Sequence, residues 1–302
     1  MRPTGKPLRV RIFFLLAALV LSASAQEKIF DWSAVPDLFP GIKHVFVDTD
    51  KPRPLKINVI RIDLTRKDLR FMTVKRDPDW GKPMPDFPEL PIRTKRITVP
   101  DFMENALKQG IAMEVAVNST PWSPWRKPWT HTYAAKTGLL ISDGEQVSEN
   151  TGRPVFLITD KGEFQIRKVN PDEDLSHIRL AVAGFSIILE NGRTMGTKSL
   201  APRTAYGLSE DSHYMIIMTV DGRMKHISEG AGTKELGEWM REYGSAVAIN
   251  MDGGGSTTLI AADGKGGIRR LTTSRFYRKV AAPLGIFRVK EDKADNKAAG
   301  KQ

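Results

Sequence analysis

Residues 246–260, AVAINMDGGGSTTLI, join an apolar run to an acid, three consecutive glycines and three hydroxyl side chains. Val247 to Met251 predicts a buried strand with Asp252 at its end, and TTLIAAD predicts the strand that follows. Just upstream, GTKELGEWMREYG predicts an amphipathic helix, because Leu236, Trp239, Met240 and Tyr243 recur at i, i+3, i+4 and i+7. Thr233 is placed to cap that helix and Gly244 to end it in the left-handed conformation. Helix, turn, strand and glycine run thus follow in order, which puts the acid and the glycines at a sheet edge, where binding loops belong.

Strands joined by tight turns dominate the rest of the chain. TGLLISDGEQV, FSIILENGRT and YMIIMTVDGRMKHI carry Asp143-Gly144, Asn191-Gly192 and Asp221-Gly222 between β-forming residues, and each pair predicts a two-residue hairpin. A second helix is predicted over Pro100 to Gly110, with Phe102, Ala106 and Leu107 on one face. The expected fold is α+β: one domain built on a large mixed or antiparallel sheet with hairpins and a few flanking helices.

The N-terminus reads differently. Arg2, Lys6, Arg9 and Arg11 precede the apolar run from Ile12 to Leu21, and Ala23-Ser24-Ala25 offers a small-residue cleavage site before Gln26. The run is ten residues long, half of the roughly 20 that a membrane-spanning helix needs. Residues 1–25 are therefore expected to be a signal peptide, 26–289 the folded domain, and the polar 290–302 a disordered tail. The expected location is the periplasm or the extracellular space, with no transmembrane segment after cleavage.

The formal charge of +11 falls to +7 without the four basic leader residues. That excess suits an anionic substrate or envelope surface. It does not indicate nucleic acid, since no arginine-rich helix, zinc-finger spacing or RNP-like motif accompanies it. The chain has no cysteine, which excludes thiolate catalysis, cysteine-bound metals and disulfides.

Consecutive glycines let backbone N–H groups approach a ligand without a Cβ in the way, and Gly253 to Gly255 can form a nest of donors for an anionic oxygen, joined by the Ser256 and Thr257 hydroxyls. A carboxylate at Asp252 beside such a nest suits binding of sugar hydroxyls, general-base work or attack on an anomeric carbon. The plainer reading is a glycine-rich hairpin whose Asp bonds its own turn. No Gly-Lys-Ser/Thr ends the run and no dinucleotide fingerprint matches it.

The stretch YGSAVAINMDGGGSTTLI resembles the signature of the phosphodiester glycosidase family, which includes an enzyme that removes N-acetylglucosamine from a sugar phosphodiester. AMEVAVNSTPW around Asn118, APRTAYGLSED around Arg203 and Thr204, MTVDGRM around Asp221 and Arg223, and KVAAPLGIFRV follow in the family's order. The resemblance implies a glycosidase acting on a sugar-1-phosphodiester. It implies Asp252, Asp221 and Arg203 in catalysis, and Asn118, Thr204, Arg223, Asn250, Gly253, Gly254, Gly255 and Ser256 in substrate binding; Trp122 is a further candidate for substrate binding through its aromatic face alone. A guanidinium at Arg203 is shaped to hold two phosphate oxygens. The Asp221-Gly222 pair is also sufficiently explained as a hairpin turn.

One segment departs from the family pattern. Where Asn118 is usually followed by glycine and phenylalanine, this chain has STPWSPWRKPWTHTY, with Trp122, Trp125, Trp129, His131 and Tyr133 among three prolines. Such rings either pack the loop onto the body or offer faces to sugars. The five histidines show no paired metal-ligand spacing, and His213 and His226 are expected to face each other across one hairpin. No cofactor is expected; a divalent cation would require Asp252 and Asp221 to be brought together. Sugar phosphate or polysaccharide is the expected partner. A glycan binder without catalysis and a two-carboxylate glycosidase remain the alternatives.

Overall fold

The structure is a computed structural model that describes residues 29–135, 138–274 and 276–289. The predicted leader and the predicted tail lie outside the described residues, as do residues 26–28 and the internal positions 136, 137 and 275. Among the described residues no helix is long and apolar enough to cross a membrane.

Three antiparallel sheets meet on one core. The largest has eight strands in the order Asp37–Phe39, Ile42–Thr49, Leu55–Asp63, Tyr214–Val220, Arg203–Leu208, Val247–Asn250, Ser186–Glu190 and Arg193–Thr194. A five-stranded sheet runs Ile268–Arg270, Leu259–Ala262, Met113–Thr120, Ala282–Arg288 and Leu69–Met72. The other five-stranded sheet runs Glu145–Ser148, Leu140–Ser142, Ile178–Ala183, Pro154–Thr159 and Phe164–Lys168. One cluster of buried side chains draws on all three, including Ile60, Ile217 and Ile249 from the first, Val115, Val117 and Leu284 from the second, and Leu140, Phe156 and Val182 from the third.

The central strands are buried on both faces, which is why they read as continuous apolar runs. In Tyr214–Val220, Met215 and Ile217 face the shared core, whereas Ile216, Met218 and Val220 face the opposite side. There they meet α2 (Thr233–Glu242) through Leu236 and Met240. The helix α1 (Val99–Lys108) covers the second sheet in the same way, packing Phe102, Met103 and Ala106 against Ala116 and Ile260.

Several sequence expectations hold in detail. Asp143-Gly144 and Asn191-Gly192 both adopt positive φ, 52° and 81° for the first pair and 51° and 71° for the second, and each closes a hairpin. Gly110 and Gly244 take the left-handed conformation just beyond their helices. The cap of α2 differs: Gly232 occupies the cap position, and the Thr233 hydroxyl instead accepts the Thr197 N–H at 2.8 Å.

The third predicted hairpin does not form. After Val220 the Asp221 N–H donates to the Lys56 carbonyl at 3.0 Å, and the chain runs through an irregular segment to α2. Gly222 serves close approach rather than a turn, since a Cβ there would stand 2.7 Å from the Gly230 Cα and 2.8 Å from the Pro202 nitrogen. Consequently His213 and His226 do not face each other across a hairpin. His213 lies 2.9 Å from Asp211, and His226 sits in the turn bridged by Met224 and Ser228.

A glycine inside α2 gives a clear test of this packing. Gly237 has the Ile188 carbonyl oxygen 2.4 Å from where a Cβ would lie. Helix propensity alone favours alanine there by about 1 kcal/mol, but forcing a methyl into this contact costs about 1–3 kcal/mol. Gly237→Ala is expected to lower the melting temperature and the denaturant midpoint, against its helix propensity.

Candidate active site

The glycine run is not a hairpin. Val247–Asn250 belongs to the eight-stranded sheet, and the next strand, Leu259–Ala262, belongs to the sheet containing Met113–Thr120. Asp252 to Thr258 therefore carries the chain from one sheet to another, with one tight 3-10 turn at Gly254–Ser256.

Asn118 ties this crossing together. Its Nδ2 donates to the Asp252 carbonyl at 2.6 Å, while its Oδ1 accepts from the Thr204 hydroxyl at 2.8 Å and the Thr258 N–H at 3.0 Å. The Tyr206 hydroxyl, fully buried, donates to the Asn118 carbonyl at 2.8 Å. The Asp252 N–H in turn donates to the Ser119 carbonyl at 2.9 Å. The backbone of Asp252 is thus held from both sides by the neighbouring strand.

Each glycine makes room for something different. A Cβ on Gly253 would stand 2.8 Å from the Pro202 carbonyl oxygen, one on Gly254 would stand 3.2 Å from the Arg223 guanidinium, and one on Gly255 would stand 2.4 Å from the Arg278 guanidinium. Gly254 is also at φ 61°, where a side chain is disfavoured. Arg223 is itself a non-glycine residue at φ 60°, a conformation that costs of order 1–3 kcal/mol and collects at functional sites.

The result is a cavity of about 650 Å³ lined by the run Asp252 to Gly255, by Arg153, Arg203, Arg223 and Arg278, and by Trp122, Trp125 and Phe185. Asp252 is the one acidic side chain among the described lining residues. Its Oδ1 accepts the Gly253 N–H at 2.9 Å, but its Oδ2 is buried without a hydrogen-bond partner. Burial pushes its pKa up to about 6, even though the nearby Ser256 hydroxyl, the Gly253 N–H and the Arg278 and Arg153 charges all pull it down.

Arg203 is oriented by its own scaffold. Its Nε donates to the Ala231 carbonyl at 2.9 Å and its Nη2 to the Ser199 carbonyl at 2.7 Å, which leaves further N–H groups for a ligand. Burial, with the Arg223 charge close by, lowers its pKa. Arg278 lies over the Trp125 ring, 4.9 Å from its centroid, and Arg153 lies over Phe185 at 5.0 Å. None of the four guanidiniums forms an ion pair with a described carboxylate.

The predicted residues divide between wall and frame. Asp252, Arg203, Arg223, Trp122 and Gly253 to Gly255 line the cavity. Asn118 and Thr204 do not: both are fully buried and bonded to each other behind the crossing. Asn250 and Ser256 are also buried behind the wall. The open nest of three amides is not realised either, because the Gly253 N–H bonds the Asp252 carboxylate and the Gly254 N–H bonds the Pro202 carbonyl at 2.9 Å.

Asp221 lines a neighbouring cavity of about 500 Å³ that shares only Arg223, Gly254 and Gly255 with the first. Its Oδ2 accepts the Thr273 N–H at 2.8 Å, and burial raises its pKa. The two aspartates therefore stand on opposite sides of a wall, and no group of three His, Asp or Glu side chains among the described residues is placed to share a metal ion.

Sequence reasoning missed Arg153 and Arg278. Arg153 follows the turn glycine Gly152 and looks like any surface arginine. Arg278 immediately precedes the KVAAPLGIF segment, and that adjacency was the only signal that could have found it.

Two alanine substitutions separate frame from function. Gly253→Ala drives a methyl into a backbone carbonyl and is expected to destabilise the fold by about 1–3 kcal/mol in chemical denaturation. Gly255→Ala meets only the end of a flexible arginine. It is expected to keep its melting temperature within about 2 °C while displacing Arg278 and weakening the binding of inorganic phosphate, measured by titration calorimetry, at least about ten-fold.

Comparison with known proteins places this geometry. A family model described as phosphodiester glycosidase matches residues 113–287, which include Asn118, Arg153, Arg203, Arg223, Asp252 and Arg278. No curated protein matches the chain in sequence. Among solved structures, the catalytic domain of zebrafish N-acetylglucosamine-1-phosphodiester alpha-N-acetylglucosaminidase, auto-inhibited by its pro-peptide, is similar with a TM-score of 0.59 over 82% of each chain at 18% identity. A hypothetical protein from Synechocystis is similar with a TM-score of 0.55, at 13% identity, over 83% of this chain and 62% of that one. At these identities the likeness is one of fold. The matched region covers more than half of the sequence and holds the whole arginine-lined cavity, and the chain belongs to the phosphodiester glycosidase family.

Proposed function

We propose that this protein is an exported hydrolase that cleaves a sugar-1-phosphodiester in envelope or extracellular glycans. The observation that carries the reading is that, among the described lining residues, one poorly solvated carboxylate shares a cavity with four guanidiniums. Arginines in that number suit an anion with several oxygens, and a phosphodiester linked to a sugar offers both the charge and the anomeric carbon that a carboxylate needs. Export rests on the leader pattern in residues 1–25.

Asp252 acts in its ionised form. The leaving phosphomonoester is already an anion of low basicity, so it departs without a proton from a general acid, and Arg203, Arg223 and Arg278 stabilise the charge that builds on it. Asp252 then takes the proton of an attacking water or attacks the anomeric carbon itself. Either way the bond from C1 to the phosphate oxygen breaks, water supplies the new C1 hydroxyl, and the phosphate leaves as a monoester. Asp221, across the wall, holds the Thr273 segment in place. A two-carboxylate mechanism would need a second acid in the cavity, and the described lining holds one.

Hydrolysis in water enriched in oxygen-18 tests which bond breaks. The label is expected in the released sugar; label in the phosphomonoester instead would mark a phosphodiesterase and overturn the reading.

The raised pKa of Asp252 gives two pH signatures. As a base or nucleophile it must be ionised, so kcat/KM is expected to fall as pH drops through about 6. Stability runs the other way, because a carboxyl whose pKa rises on folding opposes the folded state when ionised. That cost is absent below the unfolded pKa near 3.8, grows as pH rises to about 6, and is complete above it. Asp252→Asn is accordingly expected to abolish turnover yet stabilise the protein at pH 8 by up to about 3 kcal/mol, with the gain disappearing near pH 4.

A further inference from the structure

Residues 121–133, where the chain departs from the family pattern, form a loop with two unlike sides. The inner side is bolted to the body. Arg96 donates to the His131 carbonyl and, at 3.0 Å, to the Trp129 carbonyl, and its guanidinium lies 4.5 Å from the centroid of the Trp122 ring. The His131 ring is buried with its nitrogens on the Tyr133 and Pro124 carbonyls at 2.6 and 3.1 Å, and it packs edge-on against Phe87. Packing therefore accounts for Trp122 in part and for His131 fully.

The outer side has no such explanation. Trp125 is 57% exposed and Trp129 47% exposed, which is costly for large apolar rings at the surface. The three indoles form a continuous row, with centroids 4.8 Å apart from Trp122 to Trp125 and 5.0 Å from Trp125 to Trp129. The row begins inside the catalytic cavity, which Trp122 and Trp125 line, and ends outside it, since Trp129 is not part of the wall. The Arg278 guanidinium lies between the two, beside Gly255 and over the Trp125 ring.

We propose that Trp125 and Trp129 form a glycan-binding rim that extends the cavity, so that the substrate is an oligosaccharide or polysaccharide chain bearing the phosphodiester rather than an isolated sugar phosphodiester. Indole faces stack on the C–H faces of pyranose rings at little entropic cost when the loop is held in advance, as Arg96 and His131 hold this one. Continuity with an arginine-lined cavity selects an anionic glycan over an apolar peptide or lipid. The inference rests on the hydrolase reading only for what occupies the cavity; the rim's preference for a chain is a separate matter of binding.

The test uses the full protein carrying Asp252→Asn, so that substrate is bound without being cleaved. The probes are a polymer of α-N-acetylglucosamine joined through 1-phosphodiesters and methyl α-N-acetylglucosaminyl phosphate, with affinities per site measured by titration calorimetry. The polymer is expected to bind at least about ten-fold more tightly than the small diester, and Trp129→Ala is expected to remove most of that preference. Trp129→Phe, which keeps an aromatic face, should retain much of it, while Trp129→Leu should not. Equal affinities for the two probes, a preference that survives Trp129→Ala, or an equal loss for both probes would overturn the proposal. Turnover of the small diester by the unsubstituted protein without any polymer preference would sink the rim alone. Polymer binding that depends on Trp129, with no turnover of any diester, would sink the hydrolase reading alone.

Discussion

The chain has to pass from one sheet to another beside an acid while a backbone carbonyl and two guanidiniums press against it, and three residues without Cβ atoms let it do so with both arginines in place. Gly253, Gly254 and Gly255 answer three separate contacts, with Pro202, Arg223 and Arg278. Asn118 then fixes where the crossing lies by bonding Asp252 on one side and Thr258 on the other. Removing either device leaves the sheets possible but the site without a shape.

The electrostatics follow from that placement. Asp252 sits where water cannot reach one of its oxygens, and the positive charges around it do not restore the low pKa of an exposed carboxylate. Burial, with the positive charge of Arg223 close by, lowers the pKa of Arg203. A cavity in which like charges repel and a lone acid is poorly solvated is poised for an anion that relieves the repulsion. The fold bears that tension because its frame is well bonded: the Asn118, Thr204 and Tyr206 groups behind the wall satisfy one another.

Much of the architecture was legible in the order of residues, and the failures have physical causes. The Asp143-Gly144 and Asn191-Gly192 turns form as predicted because their geometry is set by local φ preferences. The Asp221-Gly222 turn fails because Gly222 answers a tertiary contact with Gly230 and Pro202, which no local pattern records. Asn118 bonds Asp252, Thr204 and Thr258 and does not line the cavity, and in sequence a buried amide at a strand end looks the same whether it meets a sugar or a neighbouring strand. Arg153 and Arg278 escaped notice because a single arginine in a turn carries no periodicity.

By itself the sequence determined the predominance of strands, both helices, the Asp252–glycine motif and its resemblance to a glycosidase family, because period, turn chemistry and motif order are local properties. Only the tertiary structure decided that the glycine run bridges two sheets, that Asp221 and Asp252 open onto different cavities, and that four arginines from distant segments share one of them. Those outcomes depend on which strands pair and which faces meet, and chain order does not encode distances between residues 50 or 100 positions apart.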